Sequence, residues 1–216
     1  GKGMLLAAAD HFRQIGARRF LLEVIDTTAP DGTIVATDVG QHQMWSIQHF
    51  HFSYPGQLLT SGGFGTMGFG LGAAIGAKMG NPGKVVIHTT GDGCFRMNCH
   101  ELCTVQHYNL PVISIVFNNG TLGMVRQWQT LFYGQRYSAT VLNDAVDFVK
   151  LAEALGATGI RATTKEEFSE AFAKALNADG PVLIDCQIDL DDKVWPMVAP
   201  GAAISEAFDE GDLENK

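Results

Sequence analysis

The sequence predicts an α/β fold: a doubly wound parallel sheet with helices on both faces. Three observations carry that expectation. Strand-like and helix-like segments alternate along the chain. The strand-like runs, "KVVIHTT" and "LPVISIVF" above all, are apolar almost throughout, as strands buried on both faces must be. Three of the runs stop at a polar turn: Asp38-Val39-Gly40-Gln41-His42, Gly91-Asp92-Gly93 and Asn118-Asn119-Gly120. In such sheets ligands bind beyond the carboxyl ends of the strands, so these turns are expected to share one rim.

The elements follow in order. "ARRFLLEVIDTTAP" has apolar residues at helical spacing and is followed by Pro30. "GTIVATDVG" reads as a short strand, "QHQMWSIQHFHF" as a helix, and "GTMGFGLGAAIGAKMG" as a second helix with Gly68, Gly72 and Gly76 in one stripe. An interior helical glycine costs about 1 kcal/mol, so the stripe predicts close approach of another backbone. "KVVIHTT" is a strand. "NCHELCTVQHY" is a helix, with Asn98 and Glu101 spaced as a capping box. "LPVISIVFNNG" is a strand and "GMVRQWQTLFYG" a helix. Then come helix "DAVDFVKLAEALG", strand "ATGIRA", helix "KEEFSEAFAKALNAD", strand "GPVLIDCQID" and an irregular tail. About five central strands are expected. Residues 1–17 are read as a linker or the remnant of a preceding domain, 18–190 as the binding domain and 191–216 as a C-terminal tail.

The 216 residues are 46% hydrophobic, enough for one α/β core. A net charge of -8, with acidic residues scattered, argues against nucleic acid or an anionic membrane as partner. No signal peptide is visible, and "GFGLGAAIGAKMG" is too short and glycine-rich to span a bilayer. The four cysteines, Cys94, Cys99, Cys103 and Cys186, form no CxxC and read as buried reduced thiols of a cytoplasmic protein. Cys99 and Cys103 stand four apart, but a zinc site would need two further ligands that the helix does not aim there. The chain opens on Gly1 rather than Met and meets its first motif early, so it is expected to be a piece of a longer polypeptide.

The turn Gly91-Asp92-Gly93 poses the chemical question. A glycine-rich turn between strand and helix is a natural phosphate site, yet its middle residue is an anion. A divalent cation between carboxylate and phosphate removes the conflict. Mg²⁺ takes octahedral oxygen ligands, typically one or two side chains with phosphate and water completing the set. Asp92 supplies a charged oxygen, an asparagine on the neighbouring strand a neutral one, and a nearby carbonyl a third. Gly91 and Gly93 let the backbone approach a diphosphate. Asp92 and Asn119 stand one strand–helix–strand step apart. No GxxxxGK[ST] is present. The GxGxxG beginning at Gly63 follows no strand, so neither a P-loop nor a dinucleotide fingerprint is indicated.

GDG followed at this distance by NN resembles the thiamine diphosphate signature. "DVGQHQMW", "TSGGFGTMGFGL", "NNGTLGMVRQWQ", "LFYGQRYS" and "VWPMVAPGAA" extend the resemblance to the large, catalytic subunit of acetohydroxyacid (acetolactate) synthase. It runs from about Arg18 to Phe208 and matches only the C-terminal third of that family's chain. The resemblance implies that Asp92 and Asn119 hold Mg²⁺ together with the backbone carbonyl of Thr121. Gly40, Gln41, His42, Gly93 and Cys94 would meet the diphosphate. Met67 would support the bent cofactor, whose own amino group acts as the base. Gly65, Leu122, Gly123, Met124 and Val125 would line the same cleft, and Trp128 would face the substrate. Two departures stand out: Cys94 where the family has serine, and Gly72 where it has proline. The alternative readings of single residues are a packed methionine for Met67, a packed indole for Trp128 and a surface histidine for His42. His49 and His51 are read as structural and Glu101 as a helix cap.

The resemblance also implies what lies elsewhere. The glutamate that activates the pyrimidine ring comes from another domain across a dimer interface, and FAD sits in a middle domain. The implied reaction joins pyruvate to pyruvate or 2-oxobutanoate with loss of CO₂, in branched-chain amino acid biosynthesis. The implied assembly is a homodimer or homotetramer, with a regulatory small subunit in some members. Alone, the domain is expected to be inactive and to self-associate through an apolar patch near the rim. The alternatives are a related thiamine enzyme (pyruvate oxidase, glyoxylate carboligase or 2-oxo acid decarboxylase) and a non-catalytic binding module.

Overall fold

The computed structural model describes residues 17–142 and 146–214. Strands β1 (Ile34–Thr37), β2 (Leu58–Thr60), β3 (Val86–Gly91), β4 (Val112–Asn118), β5 (Thr158–Ala162) and β6 (Val182–Gln187) form one six-stranded sheet in the order β2-β1-β3-β4-β6-β5. Every neighbouring pair is parallel. The expected leading segment falls, but for Ala17, outside the described residues. Among the described residues no helix is long and apolar enough to cross a membrane.

Side chains alternate across the strands, and the core divides accordingly. On one face Ile113, Ile115 and Phe117 of β4 meet helices α1 (Ala17–Thr28), α2 (Gln41–His49) and, further along the chain, α8 (Lys165–Leu176). On the other face Val112 and Val116 meet α3 (Phe69–Gly80), α4 (Asp92–Asn98), α5 (Leu102–His107) and α7 (Phe148–Ala154). Trp45, Phe95, Phe148, Phe168 and Phe172 are fully buried; each contributes about 2–3 kcal/mol of apolar burial. Helix α6 (Gly123–Phe132) flanks the carboxyl end of β4, and a short α9 (Glu210–Glu214) ends the described chain. Residues 194–208 are irregular but not loose. Val194 and Met197 are buried, and Met197 bridges Phe208.

Four expectations need correction. The sheet has six strands, not five: the extra one, β2, is three half-buried residues, too short to carry a period. The capping box does not form. The helix begins earlier, at Asp92, and breaks into a 3-10 turn at Cys99–Glu101; Asn98 donates instead to the Gly68 carbonyl at 2.5 Å, and Glu101 accepts from Thr104 at 2.8 Å. The glycine stripe does not meet a backbone. A Cβ on Gly72 or Gly76 would stand in open space, and Gly68 is the left-handed cap before α3 (φ 86°). The close approach is at Gly70, off the stripe, where a Cβ would lie 2.8 Å from the Asp38 amide nitrogen. Finally, only Cys94 and Cys186 are buried. Cys103 is exposed, and Cys99 is half-buried against the core on the face of α4 and α5.

Candidate functional site

The winding reverses between β1 and β3, so the carboxyl ends of these strands part. Into that gap the turns before α2, α4 and α6 converge, forming a half-open cleft of about 80 Å³. Gly40, Gln41, His42, Met67, Gly91, Asp92, Gly93, Cys94, Asn119, Thr121, Leu122, Gly123, Met124 and Val125 all line it. Two expected residues do not. Gly65 is exposed, with φ 71°. Trp128 stands one turn further along α6, in an adjoining hollow that shares Met124 and Val125, with its ring edge-on to Phe132 at 5.4 Å.

Asp92 is 3% exposed and accepts from the Gly93 amide at 3.0 Å and the Gly120 amide at 2.9 Å. Burial pushes its carboxyl up to about 6; the two amides and Arg96 only partly oppose that. Asn119 accepts from the Thr121 amide at 3.1 Å. The two asparagines part company because successive strand residues face opposite ways: Asn118 reaches Asp185 on β6 at 2.8 Å, while Asn119 faces the cleft. Two glycines let the side chains of the cleft pack this closely. A Cβ on Gly93 would lie 2.7 Å from Leu122, and one on Gly123 would lie 2.1 Å from Gln41 Oε1 and 2.8 Å from Asn119 Nδ2.

His42 is buried, not on the surface, with its ring wedged against Gly40 and Gly91. Gly40 holds φ 151°, which other residues rarely adopt. The His42 Nε2 atom has no hydrogen-bond partner. A buried ring nitrogen left without a partner at the wall of a cleft costs about 1–3 kcal/mol, a cost that a bound ligand group would remove. Burial also pushes the imidazole down to about 4, so it is neutral at pH 7. The linkage sign follows: a lowered folded pKa gives stability present above the ordinary pKa, near 6.5, and lost as pH falls towards 4. His42→Gln should therefore flatten the pH dependence of urea unfolding, removing ~3 kcal/mol of loss between pH 7 and 4. Parallel curves for parent and variant would contradict this.

Two expected diphosphate contacts point elsewhere. The Cys94 thiol donates to the Val39 carbonyl at 3.1 Å, and burial pushes it up to about 12, so its side chain braces the turn as a neutral group. Gln41 Nε2 donates to Gln127 Oε1 at 2.9 Å and to the Asp192 carbonyl at 2.7 Å. Gln127, missed in the sequence, also pairs with both backbone groups of Val194 at 2.9 Å. Its position four residues after Gly123, on the inner side of α6, was the available signal. Val39, Trp45, Phe117 and Ile188 also line the cleft and were not anticipated; in a sequence they read only as core.

Residues 38–186 match the family model for the C-terminal TPP binding domain of thiamine pyrophosphate enzymes. The chain belongs to the thiamine pyrophosphate enzyme family. As a thiamine pyrophosphate-binding domain it is 46% identical over 190 residues to the acetolactate synthase isozyme 2 large subunit of Escherichia coli (strain K12), covering 88% of this chain and 35% of that one. It is 47% identical to a probable acetolactate synthase large subunit of Methanococcus aeolicus, covering 88% and 32%. Among solved structures, the thiamine diphosphate-dependent 4-hydroxybenzoylformate decarboxylase of Rhodococcus jostii RHA1 superposes with a TM-score of 0.75 at 31% identity, over 82% of this chain and 33% of that one. The domain thus spans about a third of the length of the relatives it matches.

Proposed function

We propose that this domain holds thiamine diphosphate through a magnesium ion and serves an acetohydroxyacid synthase. The carrying observation is the convergence of the buried Asp92 carboxylate, Asn119 and the orphaned His42 Nε2 on one glycine-lined cleft. Asp92, Asn119 and the Thr121 carbonyl would hold the metal. The amides of the Gly91–Cys94 turn, Gly40 and His42 would meet the diphosphate, with a helix N-terminus behind them. Met67, Met124 and Val125 would hold the rings and keep water away. When bound, the cofactor supplies a thiazolium ring that accepts the electron pair released as a 2-oxo acid loses CO₂. The activating glutamate, FAD, further subunits and a regulatory subunit would all come from outside these residues. Titration calorimetry with Mg²⁺ and thiamine diphosphate tests the binding reading: no Mg²⁺-dependent heat would end it. Acetolactate formation from pyruvate by the full chain tests the activity.

A 2-oxo acid decarboxylase is the second reading, favoured by the name of the solved neighbour. The relatives named acetolactate synthase, at higher identity, favour the first. On that reading the hollow beside Trp128, lined also by Gln129, Tyr133 and Arg136, would receive the second substrate. One methylene in an apolar pocket is worth about 1–3 kcal/mol. Trp128→Leu should lower the preference for 2-oxobutanoate over pyruvate by about tenfold, with cofactor affinity near normal. An unchanged product ratio in a competition assay would make the indole purely structural.

A further inference from the structure

A line of polar side chains runs beneath the cleft, across three strands and wholly inside the protein. Ser114 of β4, His88 of β3 and Asp38, just after β1, are each no more than 1% exposed. His88 Nε2 lies 3.0 Å from Asp38 Oδ2 and its Nδ1 lies 3.3 Å from Ser114 Oγ. A carboxylate only accepts, so Nε2 carries a proton and donates to Asp38, while Nδ1 meets the serine hydroxyl. The trio has the residue types of a hydrolytic triad, but none of the three lines the cleft. No substrate atom can reach the serine there, so the arrangement is not a nucleophile.

Its geometry serves the turn above it. Asp38 opens the segment 38–42. Its carboxylate takes three donors: His88, the Thr90 hydroxyl at 2.7 Å and the Gly70 amide at 2.9 Å. Its own amide donates to the Thr89 carbonyl at 2.9 Å. The next carbonyl, of Val39, accepts the Cys94 thiol. Gly40 and His42 follow, the latter with its unpartnered Nε2 at the cleft wall. The room for this bracing is itself built in, since a Cβ on Gly70 would lie 2.7 Å from His88 Nε2. Burial alone would raise the Asp38 carboxyl; His88, the Gly70 amide and Thr90 outweigh it and hold the group well below the usual carboxylate range.

We infer that His88 is a positioning residue for the 38–42 turn, acting on the cofactor's diphosphate end through the Asp38 carboxylate without touching the cofactor. The inference rests on the reading of that turn as a diphosphate cradle. It makes a distinction that charge balance or simple packing does not. A glutamine at 88 carries an amide donor at the place of Nε2, facing Asp38. An asparagine carries its amide near the place of Nδ1, facing Ser114. Both are neutral and polar.

The test compares His88→Gln and His88→Asn in the full chain. The readouts are thiamine diphosphate affinity by calorimetry at saturating Mg²⁺, thermal midpoint, and kcat at saturating cofactor. His88→Gln should stay within about threefold of the parent in affinity, while His88→Asn should weaken it about tenfold or more. Turnover at saturating cofactor should stay within about twofold for both, because a positioning residue for the anchor acts on binding. Equal affinities for the two variants, with a parent that binds, would overturn this inference alone. A parent that does not bind thiamine diphosphate would overturn the cradle reading and this inference with it.

Discussion

Asp92→Ala is expected to weaken Mg²⁺-dependent thiamine diphosphate binding by about 100-fold or more, with little change in stability. Loss of groups that merely orient a metal ligand typically costs 10–100-fold in affinity, and a charged ligand itself costs at least as much. The stability terms oppose one another. Two amides, of Gly93 and Gly120, lose their acceptor, at about 1 kcal/mol each. Against that, a buried carboxylate whose pKa stands near 6 is removed, which relieves roughly 3 kcal/mol at pH 7 in the metal-free protein. The thermal midpoint should move by only a few degrees. Calorimetry and a thermal melt on the same preparation decide it. Parent-like binding would remove Asp92 from the metal's ligands, and a collapsed melt would make it a structural residue.

Gly70→Ala is expected to cost about 4 kcal/mol, the largest single loss of stability on α3. The added methyl would stand 2.7 Å from His88 Nε2 and 2.8 Å from the Asp38 backbone nitrogen. A side-chain end can turn aside, but a strand end cannot without losing its ladder. Overpacking of this kind costs about 1–3 kcal/mol, and parting a buried hydrogen-bonded pair about 3–5 kcal/mol. Gly72→Ala and Gly76→Ala, on the same helix, meet open space. Each should instead stabilise by about 0.5–1 kcal/mol through helix propensity. Urea unfolding of the three variants tests the ranking. Similar values for Gly70 and Gly72 would mean that α3 lies further from the sheet than these distances state.

The contrast among these glycines shows where a sequence is legible. Apolar runs such as "VISIVF" announce β4 because burial on both faces leaves no polar position, and the GDG and NN turns announce the site because chemistry needs those residue types at that spacing. Strand β2 did not announce itself: Leu58–Thr60 is held by its pairing to β1, a contact remote in sequence. The box at Asn98 and Glu101 failed because Asn98 is taken by a partner remote in sequence, the Gly68 carbonyl, and Glu101 by Thr104 one turn on. Gly70 looks like its neighbours until His88 and Asp38 come to lie against it. Fourteen of the expected site residues line the cleft, because the turns carrying them are short and leave strands of known direction. What individual side chains bond to, as with Gln41 and Cys94, depends on the tail and on Val39, and no local pattern records it.

The strand order carries a consequence for how the molecule comes into being. β6 is the last strand made, yet it lies between β4 and β5. During synthesis β5 emerges first and has no neighbour to pair with, and the flank of β4 stays open until residue 187 has left the ribosome. Half of the sheet therefore waits on one late insertion, with the backbone edge of β4 unpaired in the meantime. Such long-range parallel pairing is slow and exposes aggregation-prone surface. The nascent chain is most in need of a chaperone in the interval between the emergence of β4 and the arrival of β6, and β1 and β3, paired early, are the part of the sheet that can close before it.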